Sequence, residues 1–176
     1  MGFAYKITDQ QAVHFITCTV AQWVDVFTRT EYADIVIDSI KFCQNKKGLY
    51  VYGWVIMSNH LHMICSSPEG IGLSDTLRDF KKFTSTAVVM AIEKNKRESR
   101  KSWLMWLLKQ KDDILFWQPG NHPEEIRTRE FFQQKLDYIH NNPVRAGWVD
   151  KAEDYRYSSA RDFYGINGLI ELTHFE

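Results

Sequence analysis

Long apolar runs are missing from this chain. No stretch approaches the ~20 hydrophobic residues that a helix needs to cross a bilayer, so no membrane span is expected. The start, MGFAYKITDQQ, has no basic segment leading into an apolar one. No secretory signal is read there, and the expected location is the cytoplasm. Cysteine is scarce as well. Cys18, Cys43 and Cys65 are three in 176 residues, widely spaced and without a Cys-x-x-Cys pair. That excludes a disulfide framework and a zinc knuckle, and leaves buried, reduced thiols as the expectation. Net charge is absent too, because 22 basic residues balance 22 acidic ones. A uniformly basic nucleic-acid binder is thereby excluded. There is no internal repeat and no low-complexity linker.

What is present suits one compact domain over residues 1–176, with 44% hydrophobic residues to build its core. The charge is unevenly spread. Between Arg78 and Lys111 stand ten basic residues and three acidic ones, a local balance of +7. Such a patch attracts phosphate even on a neutral chain, although a solvated helix face has the same composition. Six Trp, eight Tyr and eleven Phe supply rings that either fill a core or stack on unpaired bases.

Periodicity gives the order of elements. Val13 to Val20 reads as a strand, and Glu31 to about Lys46 as a helix ended by Gly48. Leu49–Met57 and His60–Cys65 read as two strands joined at Ser58-Asn59. Ser74 is a candidate N-cap for a helix whose stripe is Leu77, Phe80, Thr84, Ala87 or Val88, and Ala91. Residues 94–101 read as a loop, Trp103–Leu108 as a short helix or an apolar insertion that packs elsewhere, and Leu115–Trp117 as a short strand before a turn at 118–121. Thr128 caps a final helix that Pro143 is expected to stop near Asn142. Helices alternating with mainly antiparallel strands predict an α+β fold with a ferredoxin-like core and helices packed on the sheet.

Two places carry chemistry. His60 and His62 are two apart on a strand and so point to one face, where two imidazoles can converge on an ion. The plainer alternative is a pair of hydrogen-bonded histidines in a half-buried sheet. In the last helix, Phe132, Leu136 and Ile139 form the buried stripe, while Lys135, Tyr138 and Asn142 share another face. A tyrosine there is either a nucleophile, needing a base, cation or metal beside it, or a ring packed at a helix edge.

The order of these features is more specific than any one of them. His60-Leu61-His62 follows Trp54-Val-Ile-Met-Ser-Asn. Later come Asp137-Tyr138-Ile139-His140-Asn141-Asn142-Pro143-Val144-Arg145-Ala146-Gly147-Trp148-Val149 and Asp154-Tyr155-Arg156-Tyr157-Ser158-Ser159-Ala160. From about Val13 to Tyr164 the chain resembles the REP-associated tyrosine transposases, a branch of the single-tyrosine (HUH-type, IS200-like) transposases. The resemblance implies that His60 and His62, with Asn142, hold Mg²⁺ or Mn²⁺. It implies that Tyr138 cuts single-stranded DNA through a 5′-phosphotyrosine link and that the strand is rejoined without ATP. The implied partner is single-stranded or hairpin DNA, handled in the bacterial cytoplasm at the nucleoid, with Arg78, Lys81, Lys82, Lys135 and Arg145 as candidate DNA contacts. Relatives act as monomers or homodimers, so a homodimer is one open state. His140, two positions beyond Tyr138, is the poorer ligand.

The chain departs from the pattern in two places. The segment Trp117–Arg127 is longer than usual and carries His122 on an expected loop. Glu98–Asp113 looks like a helical insertion. The rival readings are a domesticated, non-cutting binder of structured single-stranded DNA or RNA, a metal-dependent hydrolase using water, and a purely structural module.

Overall fold

The computed structural model describes residues 6–110 and 113–175, so Lys111, at the end of the positive stretch, lies outside them. Three strands form the body of the sheet: β1 (His14–Thr19), β2 (Tyr50–Ile56) and β3 (His60–Ser66). Helix α1 (Thr30–Lys47) connects β1 to β2, and Gly48 ends it with φ +66°, a left-handed cap that suits glycine. Met57 N–H donates to the His60 carbonyl at 2.8 Å, closing the β2–β3 hairpin over Ser58 and Asn59. Helix α2 (Leu73–Lys94) and the short α3 (Lys101–Leu108) follow, then a small hairpin of β4 (Lys109–Gln110) and β5 (Asp113–Ile114). Next come β6 (Glu124–Glu125), α4 (Arg129–Arg145) and a one-turn α5 (Ala160–Phe163).

The sheet order is β2-β3-β1-β6, with every pair antiparallel. This is the ferredoxin-like arrangement: β3 is inserted between the parallel β1 and β2, and the last strand flanks β1. That last strand is broken. Gln118 N–H donates to Thr19 O, Thr17 N–H to Asn121 O and Ile126 N–H to Val13 O, each at 2.8 Å. Phe116–Ile126 therefore runs the length of β1, interrupted by the Pro119-Gly120 turn. The strand expected at 115–117 is reduced to a single bridge, Val20 to Trp117, because the turn breaks the ladder there.

Alternation along the strands makes two cores. Ile16, Cys18, Leu61 and Met63 face α1 and α2. Phe15, Val55 and Ile64 face α4, where Leu136 and Ile139 meet them, each contributing ~1.5–3 kcal/mol by leaving water. Gly53 permits that approach, since a Cβ on it would lie 2.6 Å from Leu136 Cδ1. The Tyr-Arg-Tyr-Ser-Ser segment covers the outer edge of β2: Ile56 N–H donates to Tyr157 O and Ser159 N–H to Trp54 O, both at 2.9 Å. The three cysteines are free and buried. Among the described residues no helix is long and apolar enough to cross a membrane.

Two helix ends differ from the sequence reading. Ser74 is not the N-cap of α2. Gly72 is, and the Gln10 amide reaches over to accept from Ser74 N–H at 2.8 Å. A long-range side chain thus does the capping that a local motif seemed to provide. Thr128 does cap α4, accepting from Phe131 N–H at 3.1 Å, but Pro143 does not stop that helix. So near the C-terminus a proline removes one intrahelical bond, and its buried ring packs instead. The extra turn keeps Arg145 on the same helix as Tyr138.

Candidate active site

The β1–β3 register sets the site. Phe15 lies opposite Ile64, Thr17 opposite His62 and Thr19 opposite His60. Both histidines project to the α4 side, away from Leu61 and Met63, as the two-residue strand period requires. Their ring centroids are 4.6 Å apart. Helix α4 brings Tyr138 to the same place, with ring centroids 5.3 Å from His62 and 6.0 Å from Phe15. Phe15 stacks on His62 at 5.2 Å and meets Tyr138 edge-on. Residues far apart in sequence meet here because α4 packs on the sheet through Leu136 and Ile139.

Both imidazoles are oriented through Nδ1. His60 Nδ1 is 2.7 Å from Asn59 Oδ1. Asn59 donates its Nδ2 hydrogens to Trp23 O at 3.2 Å and Asp25 Oδ1 at 3.1 Å, so its oxygen must face His60. An amide oxygen only accepts, which places the proton on His60 Nδ1 and leaves Nε2 a lone pair. Thr17 Oγ1 lies 2.8 Å from His62 Nδ1 and fixes the orientation of the second ring. Burial lowers the His60 pKa. Burial also lowers that of His62, helped by His60, Lys135 and Arg145, to about 3. Both rings are therefore neutral near pH 7, the form in which imidazole ligates a metal.

Cations border the pair. The Arg145 guanidinium sits 4.6 Å from the centre of the Tyr138 ring and donates to the Tyr138 carbonyl at 3.3 Å. Lys135 Nζ lies 4.5 Å from the Phe15 ring centre and pairs with Glu124 at 2.7 Å. Tyr138 itself is 40% exposed, open to a substrate. Asn142, one turn further along α4, is half-buried. Among the described residues no third His, Cys, Asp or Glu joins the histidines into a metal-holding group of three. A protein ligand beyond the pair would have to be a neutral oxygen such as the Asn142 amide.

His140 has a different task. Its Nε2 is 2.9 Å from Ser159 Oγ, which also accepts from Trp54 N–H at 2.9 Å and donates to Trp54 O at 3.2 Å. It pegs α4 to β2, and burial lowers its pKa to about 4.

The basic residues of α2 are not brought to the histidines, because α2 covers the other face of the sheet. Arg78 pairs with Asp75 at 2.5 Å and Asp79 at 3.2 Å. Lys81 donates to the Gln118 and Gly120 carbonyls at 2.9 and 2.8 Å, pinning the turn in the broken strand, while Lys82 is exposed. His122 lies in the loop before β6. Sequence reasoning missed Phe15, Thr17, Trp23 and Asn59. Only Asn59 carried a local signal, as the turn residue directly before His60.

This fold and this pairing of strand histidines with a helix tyrosine define a recognisable class. The family described as Transposase IS200 like matches residues 7–142. The chain belongs to that family. It is 28% identical over 132 residues to the REP-associated tyrosine transposase of Escherichia coli (strain K12), an alignment covering 71% of this chain. The match spans 66% of that relative, just under two thirds of its length. A solved structure of a REP-associated tyrosine transposase bound to a REP hairpin superposes with a TM-score of 0.70 and 23% identity, covering 99% of this chain and 95% of that one. The likeness at that identity is one of fold.

Proposed function

We propose that the chain nicks and rejoins single-stranded DNA, using Tyr138 as the nucleophile beside a divalent ion held by His60 and His62 with Asn142. The observation that carries this reading is the approach of the exposed Tyr138 ring to within 5.3 Å of His62, whose Nδ1 is already engaged by Thr17. The tyrosine oxygen attacks phosphorus, an O–P bond forms and the P–O3′ bond breaks. The phenolic proton passes to water and the departing 3′-oxygen takes one up. Arg145, against the Tyr138 ring, brings a positive charge to the place where a scissile phosphate would lie. Asn59 and Thr17 hold the two Nε2 atoms toward the reacting phosphate. When bound, the ion supplies Lewis-acid polarisation of that phosphate. Two imidazoles and an amide oxygen are a better donor set for Mn²⁺ than for Mg²⁺, which prefers oxygen throughout.

The DNA partner is read as a single strand next to a hairpin, in keeping with the REP hairpin held by the structural relative. The test is covalent trapping. Labelled hairpin oligonucleotides from DNA flanking the gene are mixed with the protein and Mn²⁺, then run on a denaturing gel. An adduct that survives denaturation is expected. Chelator and Tyr138→Phe should each abolish it, while Tyr138→Phe leaves DNA binding within about twofold, since only one hydroxyl is lost. Binding without an adduct would favour a non-cutting binder. An adduct on Tyr138→Phe would remove Tyr138 from the role.

A further inference from the structure

We infer that Trp23 is the stacking platform for the nucleotide on the 5′ side of the cleaved phosphate, and so holds the strand that ends in the released 3′-hydroxyl. The inference rests on the nicking reading above. It starts from an anomaly at the end of β1. Gln22 and Trp23 are consecutive non-glycine residues with φ of +56° and +55°. L-residues avoid this left-handed region, and such strain persists where the surroundings enforce it. Here Trp23 N–H donates to Val20 O at 3.0 Å, and Asn59 Nδ2 donates to Trp23 O at 3.2 Å.

The result of that strain is an indole presented to solvent. Trp23 is 61% exposed although tryptophan gains by burial, and its ring centroid lies 6.4 Å from that of His60. Asn59 therefore fixes two things at once: the His60 ring through Oδ1 and the Trp23 turn through Nδ2. A packing residue would not need to be tied to the orientation of the candidate metal ligand.

Its direction from the site gives it a role. Moving along β1, Phe15 contacts Tyr138, Thr17 contacts His62 and Thr19 lies opposite His60. The Ala21–Trp23 turn comes next. Ring centroids follow the same order, with Tyr138 to His62 at 5.3 Å, His62 to His60 at 4.6 Å and His60 to Trp23 at 6.4 Å. The histidine pair thus stands between the tyrosine and the tryptophan. In an in-line displacement the attacking and leaving oxygens lie on opposite sides of phosphorus. With Tyr138 attacking from one end, the 3′-oxygen departs toward the other, and its nucleotide is the one that reaches Trp23. A flat ring takes any base, so the contact retains the cut end without reading its sequence.

The test maps the cut with wild-type protein, Mn²⁺ and 5′-labelled hairpin oligonucleotides flanking the gene. It then places an abasic site at the nucleotide just 5′ or just 3′ of the scissile phosphate. Trp23→Ala should bind the released 3′-hydroxyl strand about tenfold more weakly and rejoin it more slowly by a similar factor, and Trp23→Phe should recover most of the loss. The 5′ abasic site should reproduce that loss in wild type and add nothing in Trp23→Ala. The 3′ abasic site should affect both proteins alike. A normal wild-type adduct with losses from Trp23→Ala and the 5′ abasic site that multiply, or with no loss at all, overturns the role of Trp23 while sparing the nicking reading. Absence of any wild-type adduct overturns the nicking reading and the inference together.

Discussion

Replacing Thr17 by valine tests whether the histidines are held for a metal. Thr17 stands opposite His62 in the β1–β3 register, with Oγ1 at 2.8 Å from Nδ1. Valine keeps the shape and the strand preference and exchanges one hydroxyl for a methyl. The fold loses one hydrogen bond, about 0.5–1.5 kcal/mol, and so a few degrees of melting temperature. The ion should lose far more. His62 is 6% exposed, so water does not readily replace the threonine. The ring then loses the contact that fixes its orientation, and with it the aim of its free nitrogen at the ion. Losing such an outer partner costs about 10–100-fold in metal affinity. The assay is the Mn²⁺ dependence of adduct formation at saturating DNA, with calorimetric titration of Mn²⁺ alongside. The midpoint should rise by that factor with the plateau unchanged, and Thr17→Ser should behave as wild type. A folded Thr17→Val protein with an unshifted Mn²⁺ midpoint would refute the orienting role.

The other perturbations concern the frame around the site. Glu98 is buried between Arg29 at 2.7 Å and Arg100 at 3.1 Å; burial pushes its carboxyl up, but the Arg100 hydrogen bonds and the charges of Arg100 and Arg29 outweigh this and leave it at about 2. Its folded pKa lies below the unfolded value of ~4.3, so its stabilisation is present above that pH and is lost as pH falls toward 2. Denaturant melts should show wild type losing more stability than Glu98→Gln between pH 5 and pH 3, with the variant weaker by about 1–3 kcal/mol at pH 7; parallel pH profiles would refute this. Gly53→Ala should drive a Cβ against Leu136 Cδ1, which it would meet at 2.6 Å, costing about 1–3 kcal/mol and slowing adduct formation through displacement of α4. An unchanged melting temperature would mean that α4 is not seated as tightly as the contact implies.

The sheet and its helices were legible because strand alternation and helix period are local signals. The placing of His60 and His62 on one face followed from the strand alternation, and the grouping of Lys135 and Tyr138 on one side of α4 from the helix period. What stayed hidden depends on register. Nothing near Thr17 marks it as the partner of His62, because that contact exists only once β1 pairs with β3. Trp23 reads as one of six tryptophans until its backbone is seen. Trp54 is fully buried, whereas Trp106 is 71% exposed, and composition cannot separate them. The positive stretch shows the same dependence on the fold. It is real in sequence, yet α2 lies across the sheet from the histidines and spends Arg78 and Lys81 on internal partners. Pro143 misled for a related reason, since the rule about the residue before proline does not weigh a buried ring at the end of a packed helix.

The charges at the site carry one further consequence. Lys135 and Arg145 both act on His62 strongly enough to oppose its protonation, so they also oppose a divalent cation at its Nε2. Glu124 offsets part of the Lys135 charge, but no carboxylate among the described residues makes a group of three with the histidines to neutralise the site itself. A DNA phosphate would do so, since it brings negative charge to the same place. Metal and strand should therefore bind cooperatively, with a coupling of about 1–3 kcal/mol, or 5–150-fold. Linkage requires the same factor in both directions. Tyr138→Phe protein, which cannot react, permits the measurement: Mn²⁺ is titrated with and without single-stranded DNA, and DNA with and without Mn²⁺. Arg145→Gln should tighten Mn²⁺ binding to the DNA-free protein and shrink the factor, because it removes one of the repelling charges. Equal Mn²⁺ affinity with and without the strand would mean that the cations do not reach the ion.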